Sequence, residues 1–393
     1  MKERKLVPKR RFLDYQDLWV AYNWGETVDI STNMVDPRKE KYADLLHVGP
    51  GNIKSFSGEI SDNVKKVKEE NLISGKFLFH PGDIIYGKIN PQLGKYAFAE
   101  VKGLASADAY ILNTKNGVSQ DFFFTILQSK EFFKYSVSVS SRTGMPKINR
   151  NELNQYQYYA PLLEEQQKIG NFFKHLDQMI SLEQRKLEKT KALKSAYLAE
   201  MFPAEGERVP KRRFPGFNEA WRSTKISDIF TVTRGNVLSV SNVNKKRDSI
   251  MQYPVYSSQT LNNGLMGYYS DYLFDTAITW TTDGANAGTV NYREGKFYST
   301  NVNGVLISDK GYANKAVAEG LNLVAWKHVS KVGNPKLMNN IMGNIVIQLP
   351  TSIDELEKMS TFFNQLDQTI TNQKQKLNKL KAIKQAYLEE MFV

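Results

Sequence analysis

Two segments of the chain carry apolar residues at alternating four- and three-residue steps, and this spacing predicts two long amphipathic helices. The segments are residues 171–202 and 362–392, and neither glycine nor proline interrupts the first. A 3.5-residue repeat keeps one apolar seam facing a partner helix, as in a coiled coil. The seam residues expected to pair the helices are Phe173, Leu176, Ile180, Leu187, Tyr197, Phe363, Leu366, Ile370, Leu377 and Tyr387.

The two helical segments are copies of one another. Between residues 172–202 and 362–392, 18 of 31 positions are identical without gaps, and VPKRRF occurs at both 7–12 and 209–214. Such self-similarity marks a duplicated unit. Each half has a basic start, a variable body and a terminal helix. Antiparallel pairing of the two helices is the simplest arrangement that uses both seams, and the alternative is two unrelated surface helices.

The variable bodies combine short strands with helices. Apolar residues alternate or cluster between Gly, Pro and Asn at 42–60, 77–98, 105–113, 253–257, 268–281, 290–298 and 302–308, which predicts strands and turns. Residues 120–135 and 314–327 have helical periodicity. We therefore expect an α+β duplicated architecture, with a first body at 1–160, a helix at 161–202, a second body at 203–350 and a helix at 351–393.

Composition narrows the chemistry. The chain has no cysteine and four histidines without metal-motif spacing, which excludes a disulfide framework and a thiolate metal site and disfavours zinc. No signal peptide or membrane-length apolar run is visible, so we expect a cytoplasmic protein. The net charge is +12 and the pI about 9.4. Nucleic acid is the first polyanion to consider.

Signals for catalysis are weak. No phosphate-binding loop of the GxxxxGK[ST] type is present, and neither Asn90-Pro91 nor Asn334-Pro335 continues as the base-holding loop of an amino-methyltransferase. Asp283 followed by Glu294 and Lys296 imitates a nuclease ligand set. The glycine-rich stretch after Asp283 is better interpreted as a loop that approaches a backbone, so we expect no enzyme and no metal site.

Signals for binding are stronger. The loop at 140–147 combines hydroxyls, Arg142, a glycine and Lys147, and arginine can pair bidentately with guanine while hydroxyls reach phosphate. The matching stretch 331–336 precedes the last strand and helix of the second copy in the same order. The candidate DNA-binding residues are Lys88, Asn90, Gln92, Lys95, Ser141, Arg142, Thr143, Gly144, Lys147, Asn242, Lys245, Lys246, Arg247, Ser257, Gln259, Asn286, Asn334 and Lys336.

The order of motifs resembles the specificity subunits of type I restriction–modification enzymes along essentially the whole chain. The motifs are VPKRRFPGF with a later Trp at 209–221, MPKINRNELNQYQYYAPLLEEQQKI at 145–169, TDGANAGTVNYREGKFYSTN at 282–301 and the two KLxKxKAxKxAYLxEMF helices. One departure stands before the second helix, where PTSIDE at 350–355 replaces the Pro-x-x-x-Glu-Gln kept at 161–166.

The resemblance implies that each body is a target recognition domain for one half of an asymmetric, bipartite double-stranded DNA site. It also implies that the paired helices set the gap between the half-sites and bind two methyltransferase subunits, and that restriction subunits join the assembly. S-adenosylmethionine, ATP and Mg²⁺ would then be used by those partners, and none would be bound by this chain. The open alternatives are a nuclease or methyltransferase fused to its own DNA reader and a coiled-coil scaffold that does not bind DNA.

Overall fold

The chain forms two compact units, and the computed structural model describes residues 6–141, 144–258 and 261–393. Unit 1 comprises the residues up to Arg185 together with Gln375–Val393, and unit 2 comprises Lys186–Lys374. Each unit therefore contains one body and a part of both long helices. Within the described ranges, no helix is long and apolar enough to cross a membrane.

Unit 1 is built from short strands and four short helices before the first long one. Its strands are β1 Val20–Asn23, β2 Val28–Ile30, β3 Met34–Val35, β4 Leu46–Val48, β5 Lys76–Phe79, β6 Ile84–Gly87, β7 Tyr96–Phe98, β8 Gly103–Ala105, β9 Ala109–Thr114 and β10 Gln157–Ala160. Its helices are α1 Trp24–Thr27, α2 Gln120–Gln128, α3 Lys130–Ser140, α4 Arg150–Asn154 and α5 Leu163–Met201, which continues into unit 2.

The strands of unit 1 form three sheets. One is an antiparallel sheet in the order β2-β9-β6-β7, the second has the order β3-β5-β8-β4 with only β4 and β8 parallel, and the third pairs β1 with β10. The stretch at 42–60, where strands with turns between them are predicted, contains β4 as its one described strand. Pro50, which lacks an N–H for a ladder, begins a 3₁₀ turn instead.

The aromatic side chains of α2 build the main core of unit 1. Phe122 and Phe123 are fully buried, and Phe123 packs edge-on against Trp24 with ring centroids 4.8 Å apart. The helix predicted at 120–135 is two helices, because the Ser129 hydroxyl accepts a hydrogen bond from the Phe132 N–H and caps α3. Gly170 of α5 lies against α2, where a Cβ would stand 2.6 Å from the Phe122 nitrogen.

Unit 2 follows the same plan with a larger sheet. Its strands are β11 Arg222–Lys225, β12 Thr231–Arg234, β13 Tyr253–Tyr256, β14 Leu265–Tyr269, β15 Phe274–Thr281, β16 Val290–Ser299, β17 Asn303–Ile307 and β18 Val346–Leu349. Its helices are α6 Ile226–Ile229, α7 Lys315–Ala325, α8 Asn339–Asn344 and α9 Ile353–Glu390, which continues into unit 1. The predicted helix at 314–327 corresponds to α7.

The sheet of unit 2 has the order β12-β17-β15-β16-β13-β14, and β11 pairs with β18 apart from it. Its first four strands occupy the places that β2, β9, β6 and β7 have in unit 1. The bodies are therefore duplicated as well as the helices. Trp280 of β15 lies in the core against Gly304 of β17, where any Cβ would overlap its ring.

The long helices pair antiparallel in unit 1. Phe172 of α5 packs edge-on against Tyr387 of α9 with ring centroids 4.9 Å apart. Further along α5, Asp177 forms an ion pair with Lys384, and Glu183 contacts Lys376 at 2.8 Å. The partner's number falls as α5 advances, which defines the antiparallel direction.

Unit 2 repeats this pairing with the other parts of the two helices. Lys194 of α5 contacts Asp367 of α9 at 2.7 Å, and Tyr197 packs edge-on against Phe362 with ring centroids 4.9 Å apart. All ten residues predicted to pair the helices are buried or half-buried. Glu183 and Lys194, polar residues at seam positions, each meet an oppositely charged residue of α9.

The repeated VPKRRF motif ties the start of each half to its long helix. Arg11 is half-buried and Glu165 is buried, and they form a two-pronged ion pair with distances of 2.7 and 2.8 Å. Arg213 and Glu355 repeat it at 2.6 and 2.7 Å. The PTSIDE departure therefore places Glu355, one residue further from the proline, where Glu165 stands in the first copy.

Candidate nucleic-acid interface

In unit 1, the loop after β6 and the segment before α4 are joined by backbone hydrogen bonds. The Asn90 N–H donates to the Pro146 carbonyl at 2.8 Å, and the Ile148 N–H donates to the Lys88 carbonyl at 3.0 Å. These two bonds bring Lys88 and Asn90 next to Lys147, and Gly144, two residues before Pro146 in the chain, is exposed. We call this paired arrangement the loop clamp of unit 1.

Cations gather at this clamp. The Lys88 ammonium and the Arg150 guanidinium lie 5.4 and 5.5 Å from the centroid of the Tyr110 ring. Burial lowers the pKa of Lys88, and the nearby charge of Lys147 lowers it further. Neither lysine forms an ion pair with a carboxylate of the described chain. Cations at a loop edge that are not held in ion pairs attract phosphate oxygens.

The remaining candidates of unit 1 differ in exposure. Gln92 is exposed, and its amide donates to the Asn90 side chain at 3.3 Å, so the two amides form one polar edge. Lys95 is half-buried and donates to the Ile53 carbonyl, so its ammonium stabilises the fold from within.

In the candidate loop at 140–147, Ser141 is exposed and donates to the Val137 carbonyl. Arg142 and Thr143 lie outside the described residues.

Unit 2 contains the same clamp. The Gly284 N–H donates to the Pro335 carbonyl at 2.9 Å, and the Leu337 N–H donates to the Thr282 carbonyl at 2.9 Å. The loop after β15 and the segment before α8 are thus joined as their counterparts are in unit 1. Lys336 takes the place of Lys147, so the two loops that the sequence aligned are equivalent in space.

The side chains at the second clamp are different. The Lys336 ammonium lies 3.6 Å from the Asp283 carboxylate, whereas Lys147 stands beside another cation. Asn334 is exposed and Asn286 half-buried, and both belong to the clamped loops. One backbone arrangement therefore presents two different polar surfaces.

The other candidates of unit 2 lie on the β13–β14 side of the sheet. Asn242, Lys245, Lys246 and Arg247 are all exposed, and the neighbouring Asn244 exchanges backbone hydrogen bonds with Tyr268 of β14. Ser257 follows β13 and lines a small polar cavity with Thr281 and Asn303. Gln259 lies outside the described residues.

The nuclease-like residues do not come together. Asp283 follows the end of β15 at Thr281, whereas Lys296 pairs with Asp275 near the beginning of that strand. Glu294 is two residues from Lys296, so the two carboxylates are separated by most of an eight-residue strand. No group of three or more His, Cys, Asp or Glu residues that could hold a metal occurs in the described part of the chain.

Sequence inspection missed two members of the clamps. Arg150 is absent from the candidates that the sequence indicates, although it follows the candidate loop, and its guanidinium donates to the carbonyls of Ile30 and Ser31. For Asp283 the sequence indicates only a metal ligand, whereas the structure pairs it with Lys336. The matching order of strand, loop and helix in both copies could have pointed to either residue.

Comparison with known proteins identifies the class. The family model described as "Type I restriction modification DNA specificity domain" matches residues 19–192 and 218–382. The chain belongs to this family and contains two copies of its domain. The family supplies DNA specificity, which agrees with two loop clamps that carry different polar side chains.

Individual relatives agree with this assignment. The chain is 29% identical over 191 residues to the EcoDI specificity subunit of Escherichia coli, covering 48% of this chain and 42% of that protein. It is 34% identical over 142 residues to the MpnII specificity subunit of Mycoplasma pneumoniae, covering 35% and 42%. The matched part thus spans less than half the length of each of these relatives.

A solved structure shares the fold. The S subunit of a Type-I restriction-modification system from M. genitalium matches with a TM-score of 0.73 over 98% of this chain and 99% of that chain. The sequence identity is 13%, so this likeness concerns the fold alone.

Proposed function

We propose that this chain is the DNA specificity subunit of a type I restriction–modification complex, in which each unit reads one half of a bipartite site. The observation that carries the proposal is the loop clamp, which holds a lysine at the same place in both units by the same pair of backbone hydrogen bonds. A fixed loop that presents cations and amides can contact phosphates and base edges of DNA.

The difference between the clamps supports an asymmetric target. Unit 1 offers Lys88, Lys147 and the amides of Asn90 and Gln92, whereas Lys336 in unit 2 is opposed by Asp283. A side-chain amide can form two hydrogen bonds with the edge of adenine, and a carboxylate can accept a hydrogen bond from the amino group of cytosine. Two equivalent loop clamps that carry different side chains are suited to a DNA site whose two halves differ in sequence.

The proposal extends to partners. The family implies that the paired helices fix the number of base pairs between the half-sites and bind two methyltransferase subunits, and that restriction subunits complete the assembly. S-adenosylmethionine, ATP and Mg²⁺ would be used by those subunits, in the cytoplasm where the chromosomal target lies. This chain would select DNA without performing chemistry.

Selection from a pool of random duplexes tests the proposal. Purified full-length chain is expected to enrich a motif of two short, different half-sites separated by a gap of fixed length. The double variant Lys147→Ala/Lys336→Ala should enrich the pool more weakly, and Lys310→Ala, at an exposed position outside both clamps, should behave as the parent does.

The alternatives give other outcomes. Transfer of a methyl group or cleavage of DNA by the purified chain alone would identify an enzyme with its own DNA reader. Failure to bind any duplex, alone or with a methyltransferase subunit, would favour a scaffold and contradict the proposal.

A further inference from the structure

Part of one face of the unit 2 sheet is polar, beside a small buried apolar cluster on β15, β16 and β17. Along β15 the residues alternate, so that Ile278 and Trp280 enter the hydrophobic core while Thr279 and Thr281 point to the opposite face. On β16, Arg293 lies on that opposite face as well. All five of these strand residues are buried.

This part of the face borders a partly open cavity of about 60 Å³. Its walls include Ser257, Thr281, Asn291, Arg293 and Asn303. A water molecule requires roughly 10–15 Å³ of cavity volume measured in this way, so the cavity has room for a small ligand of several heavy atoms.

The lining is made of hydrogen-bond donors and one cation. Every lining side chain carries a hydroxyl, an amide or a guanidinium, and no lining residue of the described chain is acidic. Such groups can all donate to the oxygens of an anion, and the positive charge of the guanidinium disfavours a cation.

Arg293 is fixed at this cavity without a counter-charge. The residue is 6% exposed, its Nε donates to the Thr279 hydroxyl at 3.1 Å, and its guanidinium stacks on the Tyr256 ring at 3.7 Å from the centroid. Burial lowers its pKa to about 10, which still leaves it charged at neutral pH. Within the described ranges, no carboxylate forms an ion pair with it.

A buried charge without a counter-charge is costly, so the environment of Arg293 favours binding of an anion. Thr279 and Tyr256 hold the guanidinium beneath the surface, so it is poorly placed to reach into a DNA groove. A ligand that meets it must project its own oxygens into the cavity. Arginine suits phosphate in particular, because its planar fork donates to two oxygens at once.

We propose that the cavity around Arg293 in unit 2 binds a phosphate group, which comes either from the DNA backbone or from a free phosphate. The DNA source rests on the proposed function, whereas the anion site does not. The matching place in unit 1 has no such arginine, since β7 reads Tyr96–Phe98. The site would therefore distinguish the two units.

Calorimetric titration of inorganic phosphate into the full-length chain, at constant ionic strength, tests the site. The parent is expected to bind one phosphate saturably, and Arg293→Met should weaken binding at least roughly tenfold, since it removes charge-assisted hydrogen bonds. Lys310→Met removes the same charge at an exposed position and should leave binding unchanged. Absence of saturable binding by the parent would overturn the proposal.

A second variant keeps the phosphate-binding test usable if Arg293→Met misfolds. If Arg293→Met does not fold by circular dichroism, Thr281→Val removes a single hydroxyl from the cavity with little change of volume and should weaken phosphate binding several-fold. Equal phosphate binding by the parent and by a folded Arg293→Met variant would contradict the proposal, because the anion would then bind elsewhere.

Competition separates the two sources. Displacement of bound phosphate by the enriched duplex would indicate the DNA backbone, and retention of phosphate on the DNA complex would indicate a free anion. Displacement and retention both require that the cavity around Arg293 binds phosphate. Sequence-selective DNA binding without any phosphate binding would reject the site and leave the proposed function intact. Phosphate binding without selective DNA binding would reject the proposed function alone.

Discussion

Lys147 and Lys336 occupy equivalent clamp positions but have different neighbours. Lys147 faces the cation Lys88, and Lys336 is opposed by Asp283 at 3.6 Å. An adjacent carboxylate reduces the attraction of a lysine for phosphate, whereas an adjacent cation adds to it. Substituting each lysine in turn therefore allows the contributions of the two loop clamps to DNA binding to be compared.

Replacing Lys147 by alanine is expected to weaken DNA binding more than replacing Lys336. If each lysine contacts a phosphate, each variant should also make the salt dependence shallower by about one unit of slope. Fluorescence anisotropy at several salt concentrations measures both quantities, with Lys310→Ala as the charge-matched control. Unchanged affinity in both variants would remove the clamps from the DNA site. Arg142 and Thr143, which precede Lys147 in the sequence, stay predictions for DNA contacts.

Two aspartates at equivalent positions of the long helices should titrate differently. Burial raises the pKa of Asp177, although the Lys384 ammonium opposes the shift. Burial also acts on Asp367, but hydrogen bonds from Lys194 and Lys315 outweigh it and hold the pKa of Asp367 below its ordinary value. We expect Asp177 to bind its proton at the higher pH, as measured by NMR of ¹³C-labelled carboxyl groups with Asp→Asn variants for assignment.

Asp177 and Asp367 should affect the pH dependence of the free energy of unfolding in opposite directions. The contribution of Asp177 to the free energy of unfolding rises as the pH falls through its raised folded pKa toward the ordinary value of 3.8. The contribution of Asp367 is complete above 3.8 and is lost as the pH falls through its lower folded pKa. Titration of Asp367 at the higher pH would contradict this assignment.

At the scale of elements, charged residues in an apolar seam specify how the helices pair. Lys384 of α9 meets Asp177 of α5 in unit 1, and Lys194 of α5 meets Asp367 of α9 in unit 2. The same Lys–Asp pair thus occurs twice, with the lysine on α9 in unit 1 and on α5 in unit 2. A shift of either helix by one turn would separate the partners, and an unpaired buried charge is costly.

Reversing one of these charges tests the register. Lys384→Asp should lower the free energy of unfolding by about 3 kcal/mol, because it places two carboxylates together in a mostly buried site. The double variant Asp177→Lys/Lys384→Asp should recover part of this loss. Lys381→Asp, at an exposed position of the same helix, is the control in urea unfolding. A double variant no more stable than Lys384→Asp would show that the pair does not set the register.

At the scale of the whole molecule, the duplicated plan implies that the bodies can be exchanged. Replacing residues 23–154 by the equivalent body of a relative should change one half of the enriched DNA motif and leave the other half unaltered. The donor must keep an aromatic residue at 122, because Phe122 packs against Trp19 and Phe392 outside the exchanged segment. Motif selection by the chimera measures the result, and a change in both halves would refute independent reading.

The sequence alone determined the duplication, the two long helices and the resemblance to a family. These depend on local periodicity and repeated residues, which are visible along the chain because a helical seam recurs every few positions. It also aligned the loops that carry Lys147 and Lys336. The charged residues in the seams were visible too, although their partners were not.

Only the tertiary structure decided which of the candidate residues meet. Lys88 and Lys147 are far apart in the chain and become neighbours through two backbone hydrogen bonds between loops. Lys95 turned inward to a carbonyl, and Arg293 came to line a cavity formed by several strands. Strand order and loop contacts are long-range pairings that local periodicity does not encode, because a short strand fits many partners until the core selects one.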